Sequence, residues 1–421
     1  MKRIITLILL ATFISFTAFA QDDDSKKKEE TVKVEKKEAK KSDGIGKFTF
    51  GKDKWITLHY LLQARGATGM VDATGAEYDD ATKYHNWTNQ FYVRRSRIIL
   101  KGQVAKKVTF FAETDDFNIG LQGDGQTYAR NTTATDSSGD TVTTEDKFGT
   151  FIQDAFMSYN LMKEFKIAAG LILVPFMHHN RASAVSLLGL DYNIGQVPVG
   201  SNVWRDAGVE ARGIIAKKID YKIGVFNGAD TLKDRRDFYR VTGRLQINVL
   251  DAETGFFYSD NYRGAKKIIS FGAGFDTQKG VYQETDTTEV KDYFAWTVDA
   301  KVDMPLGKGK AFVLNAAYTD VSHSPFVNQL DTQMYFVQTG FLLGKIQPVV
   351  KYFGNIVKSK STDTGRSIGY DSKGYGVGLN YFINGNNANI KAEYNYTNTN
   401  PSDTGGKTTV HVVMLQGQIF I

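Results

Sequence analysis

Arginine residues recur at even spacing in two segments of the chain. Arg95 and Arg97 are two residues apart, and Arg240 and Arg244 are four apart. On a β-strand such spacing puts both side chains on one face. A guanidinium group is planar, always charged and able to donate two parallel hydrogen bonds to a phosphate or carboxylate. The spacing therefore indicates guidance of anions, and the alternative is that these arginines pair with acids and only hold a wall together.

Signatures of enzymes and of metal sites are weak or missing. The sequence has no Gly-x-Ser-x-Gly, no His-Glu-x-x-His and no phosphate-binding Gly-x-x-x-x-Gly-Lys pattern. His178 and His179 are adjacent, which is not the helical spacing of an enzymic zinc site. Cysteine is absent, which excludes disulfides and thiolate ligands. We therefore expect no catalytic residues, no metal and no cofactor, and the net charge of +6 is too dispersed to predict nucleic-acid binding.

The segments that carry the arginines alternate between apolar and polar residues. In Tyr239–Val249 the odd-numbered side chains are Tyr, Val, Gly, Leu, Ile and Val, whereas the even-numbered ones are Arg, Thr, Arg, Gln and Asn. The same period of two recurs at Phe294–Met304, where Phe294, Trp296 and Val298 alternate with polar residues. Only a β-strand separates these sets. A soluble β-sandwich also alternates, so the strand pattern alone does not decide the fold.

Strand length and connection length favour an all-β transmembrane antiparallel β-barrel. The strands are about ten residues long, as a tilted membrane-spanning strand requires. Their connections alternate between short and long, as they do in outer-membrane barrels. The short ones are Ala105–Lys107, Leu161–Glu164, Lys217–Asp220, Gly344-Lys345 and Asn384–Asn387; the long ones are Ala67–Thr88, Asn118–Thr150, Pro175–Arg205 and Lys358–Asp371. We count about sixteen strands, with fourteen or eighteen still open, because Gly255–Lys267 fits either a long periplasmic connection or part of another strand pair.

The N-terminal region predicts export. Lys2 and Arg3 precede an apolar run, and Ala18-Phe19-Ala20 fits a cleavage site, so residues 1–20 are expected to be a signal peptide. Residues 21–46 are mostly Lys, Glu and Asp, which predicts a disordered, charged periplasmic arm. Residues 47–421 are then the barrel, in the outer membrane of a Gram-negative-type bacterium.

Several motifs, in order, resemble the phosphate-selective porin O/P family. They are Phe91-Tyr92-Val93-Arg94-Arg95-Ser96-Arg97-Ile98, Gly170–Phe176 with its Val-Pro-Phe, Arg205-Asp206-Ala207-Gly208-Val209 and Val225-Phe226-Asn227-Gly228. The resemblance implies a sixteen-stranded trimeric porin with a long loop folded into the pore. The chain departs from the pattern in ending on Ile421 after Phe420. The family's pore-lining basic residues align only around Arg95 and Arg97, so phosphate selectivity does not carry over.

A wide barrel turns its polar strand face toward water, so the charges there set selectivity. We expect anion-guiding, pore-lining roles for Arg95, Arg97, Lys101, Arg212, Lys222, Arg240 and Arg244, with Lys301, Lys351 and Lys391 on the same surface. The acids expected opposite them are Glu113, Asp115, Asp206, Glu210, Asp299, Asp303 and Glu393, which leaves the interior mildly positive. Pro175–Arg205, with His178, His179 and Arg181, is the candidate constriction loop.

The function expected from this sequence is a porin for passive diffusion of small hydrophilic solutes, with a mild anion preference that extends to phosphate. Its partners would be outer-membrane lipid and, by the family resemblance, two further copies of the chain. The alternatives are a structural or adhesive barrel with a plugged interior, which binds partners through its long loops, and a barrel enzyme. Ion conduction separates the first two, and a convergent triad is needed for the third.

Overall fold

The computed structural model describes residues 45–74, 84–119, 129–135, 141–147, 151–193, 204–229, 238–283, 290–324, 331–358, 370–401 and 407–421. The predicted signal peptide and nearly all of the predicted arm lie outside these residues. Within the described ranges, no helix is long and apolar enough to cross a membrane.

The described residues form nineteen strands and two single 3₁₀ turns. The strands are β1 (Gly46–Gly51), β2 (Lys54–Thr74), β3 (Tyr84–Ala105), β4 (Val108–Ile119), β5 (Ala129–Thr135), β6 (Thr141–Lys147), β7 (Phe151–Asn160), β8 (Lys166–Leu173), β9 (Arg205–Ile215), β10 (Ile219–Phe226), β11 (Arg240–Asn248), β12 (Ile268–Gln283), β13 (Val290–Pro305), β14 (Lys310–Ser322), β15 (Asp331–Leu343), β16 (Ile346–Lys358), β17 (Tyr370–Asn384), β18 (Ala388–Pro401) and β19 (Lys407–Phe420). The 3₁₀ turns, His179–Arg181 and Ala184–Ser186, follow β8.

Sixteen of these strands close into one antiparallel barrel. From β2 to β4 and from β7 to β19 each strand pairs with its neighbours in sequence, and β4 pairs with β7. The ring closes where Phe420 of β19 lies opposite Leu61 of β2. The hairpin of β5 and β6 forms a separate two-stranded sheet, and β1 extends the edge of β2, with Gly46 opposite Leu58. The predicted sixteen-stranded barrel is therefore confirmed.

One end of the barrel is formed by tight turns. The predicted short connections all lie there, such as Lys106-Lys107 between β3 and β4 and Gly344-Lys345 between β15 and β16. The exception is Val249–Lys267 between β11 and β12, which is much longer than the others. At the opposite end the connection predicted at Ala67–Thr88 is shorter than expected, because β2 continues to Thr74 and β3 begins at Tyr84. Bacterial outer-membrane barrels place their short turns in the periplasm, so the end formed by the tight turns is called here the periplasmic end.

The outer surface is apolar, as the alternation predicted. On β11 the Leu245 and Ile247 side chains are 49% and 51% exposed, whereas Arg244 and Gln246 are 3% and 0% exposed. The hydrocarbon layer of a bilayer contains no water. A barrel that spans it must therefore make its backbone hydrogen bonds within the sheet and turn such apolar side chains to lipid. The lipid face of this strand is therefore the odd-numbered one.

An aromatic band encircles part of the outer surface toward the long-loop end. Tyr318 pairs directly with Tyr335, and Tyr352, Tyr375 and Tyr396 lie side by side in register on three consecutive strands. The rings of Tyr375 and Tyr396 stack, with centroids 4.9 Å apart. Tyrosine prefers the headgroup region because its ring is apolar and its hydroxyl is polar. The band therefore marks the outer boundary of the hydrocarbon layer.

Candidate functional site

The connection between β8 and β9 folds into the barrel instead of standing above it. Its described part, Val174–Asn193, is called here the inward loop, and Met177 and Leu188 within it are 0% exposed. The loop passes so close to the wall that a Cβ on Gly274 would lie 1.9 Å from the Phe176 carbonyl oxygen. Only glycine permits this approach. The candidate constriction loop predicted from the sequence thus lies inside the barrel over its described part.

Polar side chains of the far wall hold the inward loop through its backbone. Asn380 Nδ2 donates to the Leu188 carbonyl at 2.9 Å, Lys391 Nζ to the Gly189 carbonyl at 3.2 Å and Gln418 Nε2 to the Val185 carbonyl at 3.0 Å. A buried carbonyl needs a donor, and these inward-facing residues supply it. They therefore act as supports for the loop as well as wall residues.

A second segment enters from the periplasmic end. Val249–Lys267, called here the periplasmic insert, places Glu253 and Tyr258 inside the barrel with 0% and 2% exposure. Gln246 Nε2 on β11 donates to Glu253 at 2.9 Å. Of the two possibilities left open by the sequence, this segment is a long connection and contributes no strand.

Three arginines converge on one carboxylate of the inward loop. Asp191 lies 2.6 Å from Arg95 Nη2, 2.6 Å from Arg94 Nε and 3.1 Å from Arg65 Nη1. Burial disfavours the charged form of Asp191, but Arg95, Arg94 and Arg65 outweigh it and hold the pKa of this carboxyl well below its usual range. The Arg94 and Asp191 side chains remain 19% and 15% exposed, so water reaches them. This group, called here the arginine cluster, carries more positive than negative charge.

Arg97 belongs to a different environment from Arg95. Its guanidinium binds Glu113 at 2.7 Å and Asp115 at 2.6 Å, both on the adjacent β4. Two carboxylates surround this one buried guanidinium, so the charge of Arg97 is offset by its own neighbours. The pair of arginines that the sequence places on one face therefore divides into a cluster with excess positive charge and a pair of salt bridges.

The second pair of predicted arginines is neutralised by acids of β12 and β13. Arg240 Nε donates to Asp276 at 2.8 Å, and Arg244 Nη2 donates to Asp299 at 2.8 Å. Arg240 and Arg244 are 1% and 3% exposed. Such dry, bidentate pairs rigidify the wall and contribute little field to the interior.

The three remaining predicted cations also face inward. Arg212 binds Glu210 at 2.9 Å, and Lys222 donates to Asp220 and, at 2.6 Å, to the Tyr258 hydroxyl of the insert. Lys101 is half-buried and lies opposite the buried Thr57. All seven predicted residues therefore lie on the inward face, where their role in guiding anions remains a prediction.

The adjacent histidines join the two internal segments. His178 Nε2 lies 3.0 Å from Glu253, and His179 Nδ1 lies 3.3 Å from Asp260, both in the periplasmic insert. Across the described part of the chain, no group of three or more His, Asp or Glu residues could hold a metal ion. The two histidines thus connect the inward loop to the periplasmic insert, a role that their spacing in the sequence did not indicate.

The fully buried charges of the interior are equal in number. Among the described residues, the buried side chains include ten Lys or Arg and ten Asp or Glu. The sequence analysis omitted the strand acids Asp154, Asp220 and Asp276, which the period of two could have revealed. It also missed Arg65, which the period of two on β2 could have revealed, and Arg94, Asp191, Glu253 and Asp260, for which the pattern carries no signal. The fully buried charges therefore cancel in number, and the mildly positive interior expected from the sequence, to which the partly buried charges also contribute, stays a prediction.

The interior is filled to an extent that the strand pattern did not predict. Each of the sixteen barrel strands has at least one inward-facing side chain that is 4% exposed or less. A wide water column would leave the wall exposed at all heights. The inward loop and the periplasmic insert cover the wall because they supply hydrogen-bond partners for its polar side chains.

Comparisons with known proteins inform the fold. No family model matches the sequence, and no curated protein matches it. The structure resembles the outer-membrane channel DcaP of Acinetobacter baumannii, at 12% identity and a TM-score of 0.51, over 88% of this chain and 99% of that one. Lower scores relate it to OmpF of Salmonella typhi (12% identity, TM-score 0.49, 86% and 98% covered) and to an anion-selective porin of Comamonas acidovorans (11%, 0.47, 87% and 100%).

At this identity the likeness concerns architecture, and the apolar outer surface with its aromatic band agrees with it. The chain therefore has the outer-membrane porin fold, a closed sixteen-stranded antiparallel barrel of the outer membrane of Gram-negative-type bacteria.

Proposed function

We propose that the protein is an outer-membrane porin through which small hydrophilic solutes diffuse, with a mild preference for anions. The observation that supports the anion preference is the arginine cluster, in which three guanidinium groups face the single carboxylate of Asp191. It is partly open to water, whereas Arg240 and Arg244 are dry and paired. A fixed positive charge beside a narrow aqueous path raises the local concentration of anions, more so at low salt.

Phosphate is included in the proposed range of solutes because of the donor geometry. Arg94 and Arg95 each approach Asp191 with guanidinium nitrogens at 2.6 Å, as they would approach an oxyanion. A solute oxyanion that displaces Asp191 would meet the same three donors. The trimer implied by the family resemblance is part of this proposal, and the mass of the detergent-solubilised protein in light scattering measures it.

Reversal potentials in planar bilayers test the proposal. The wild-type channel in a KCl gradient should favour chloride over potassium, and Arg94→Ala together with Arg95→Ala should reduce that preference. Arg240→Lys, which keeps the charge in a neutralised pair, is the matched control. A cation-selective wild-type channel, or a double variant with unchanged selectivity, would contradict the role of the arginine cluster.

A second candidate function is favoured by the filled interior. If the inward loop and the periplasmic insert close the barrel completely, the protein is a structural or adhesive barrel that acts through its long loops. Single-channel recording of folded, heat-modifiable protein separates the two candidates. Discrete conductance steps support the porin, and a folded barrel that never conducts supports the plugged barrel.

A further inference from the structure

The periplasmic insert is unlike the other connections at its end of the barrel. We propose that Val249–Lys267 is a second barrier to permeation, which is locked to the inward loop and sets the size of solute that passes. The loop follows β8 at the long-loop end and the insert follows β11 at the short-turn end, so the two segments enter the barrel from opposite ends. The inference rests on the proposed channel function and adds to it the element that determines size selection.

The backbones of the two segments are bonded together. Tyr258 N donates to the Arg181 carbonyl and Ser183 N donates to the Tyr258 carbonyl, both at 2.9 Å. This is a short parallel bridge, in which Ala182 lies opposite Tyr258. The His178 ring stacks on the Tyr258 ring, with centroids 4.7 Å apart. Loop and insert therefore form one unit, and neither can move far without breaking main-chain hydrogen bonds.

Asp260 fixes this unit to the wall. Its carboxylate, which is fully buried, accepts hydrogen bonds from Leu188 N at 2.8 Å, Gln338 Nε2 at 2.9 Å and Asn315 Nδ2 at 3.1 Å. Its carbonyl accepts from Lys301 Nζ at 2.7 Å. A single acid thus holds the inward loop, β13, β14 and β15. Since a buried carboxylate requires its partners, Asp260 is the positioning residue of the barrier.

The insert spans the width of the barrel. At one side the Phe256 ring lies 4.3 Å from the Phe156 ring on β7. At the other, Asn261 Nδ2 donates to Gln347 on β16 at 2.8 Å, and Arg263 lies 5.1 Å from the Phe382 ring on β17. β7 and β16 are on nearly opposite sides of the ring of strands. A segment that contacts both walls divides the cross-section available to a solute.

Two variants test this barrier. In the first, residues 252–264 are replaced by a short Gly-Ser turn, which removes the insert while β11 and β12 stay joined. In the second, Glu253→Gln and Asp260→Asn are combined, which keeps side-chain shape but removes the charges that bind His178 and His179. Glu164→Gln, in the exposed turn after β7, is the control for loss of a periplasmic acid. Each purified barrel is checked for heat-modifiable gel mobility and then recorded in bilayers with polyethylene glycols of graded size.

The expected result is a several-fold rise in conductance and a larger size limit in the shortened variant. The double variant should show a smaller rise, and the control should match the wild type. If the shortened chain fails to fold, the double variant carries the test. The expected rises in the variants support the barrier even if the wild type does not conduct. If the wild type conducts and the folded variants have the same conductance and size limit, the barrier is overturned and the proposed porin function is not. If no folded form conducts, both proposals are overturned.

Discussion

Asp191 of the inward loop lies 2.6 Å from Arg95 of β3, a residue that precedes it by 96 positions. The same carboxylate binds Arg94 and Arg65, so one acid offsets part of the charge of three bases. The selectivity of the site therefore depends on a loop residue as much as on the wall.

Replacement of Asp191 by Asn should strengthen anion preference. The substitution removes the only carboxylate that contacts all three guanidinium groups in the described structure, so their field is no longer offset. Reversal potentials in a KCl gradient measure the change, which should shrink at high salt. Asp191→Glu is the control that keeps the charge. A shift toward potassium would mean that the cluster does not face the permeation path.

Arg95 and Arg97 should respond differently to replacement by Ala. Arg97→Ala strands Glu113 and Asp115, both buried, and should lower the free energy of unfolding by about 3–5 kcal/mol. Arg95→Ala should mainly reduce the anion preference of the channel. Arg95→Ala combined with Arg97→Ala should also reduce this anion preference. Denaturant unfolding from lipid vesicles measures the first effect, with Arg97→Lys as the partial rescue. Equal loss of stability in both single variants would show that the two sites are equivalent.

The face assignment of β11 makes a prediction about lipid. Leu245→Arg puts a guanidinium against acyl chains and should cost about 2–4 kcal/mol if the residue lies near the midplane. Vesicle-based unfolding checks this value. Ile247→Leu, on the same face, should have little effect. Normal stability of Leu245→Arg would place this face away from the hydrocarbon.

A methyl group on Gly274 should displace the inward loop. Its Cβ would lie 1.9 Å from the Phe176 carbonyl oxygen, so the loop backbone must move. Gly274→Ala should cost about 1–3 kcal/mol of stability and alter single-channel conductance. Gly417→Ala is the matched control, because a Cβ there has no heavy atom within 4 Å. Identical conductance and stability for the two variants would contradict the close approach.

The link between Glu253 and His178 should resist acid. Burial opposes ionisation of Glu253, but His178 outweighs it, and the pKa of this carboxyl falls to about 2. Because the unfolded value is about 4.3, the stabilisation is complete above that pH and is lost as the pH falls toward 2. The free energies of unfolding of the wild type and of Glu253→Gln are compared between pH 7 and pH 3. The difference between them should persist down to about pH 4. A difference that vanishes by pH 6 would assign the effect to another group.

The sequence by itself determined the barrel wall. A period of two puts Leu245 outside and Gln246 inside whatever the rest of the chain does, since successive side chains of a strand point to opposite faces. Connection lengths then predicted the arrangement of the two ends and about sixteen strands, with fourteen or eighteen left open, because antiparallel neighbours need only a tight turn.

Only the tertiary structure decided what fills the barrel. Asp191 meets Arg95, and Asp260 meets His179, through the paths of two irregular segments that have no period to read. Irregular backbone is buried only where wall residues such as Lys391 and Asn380 satisfy its carbonyls. Lys391 and Asn380 lie about 200 residues from the loop carbonyls to which they donate, so this pairing depends on closure of the whole barrel. The wall is thus specified locally, and the site is specified by three-dimensional complementarity between buried polar groups.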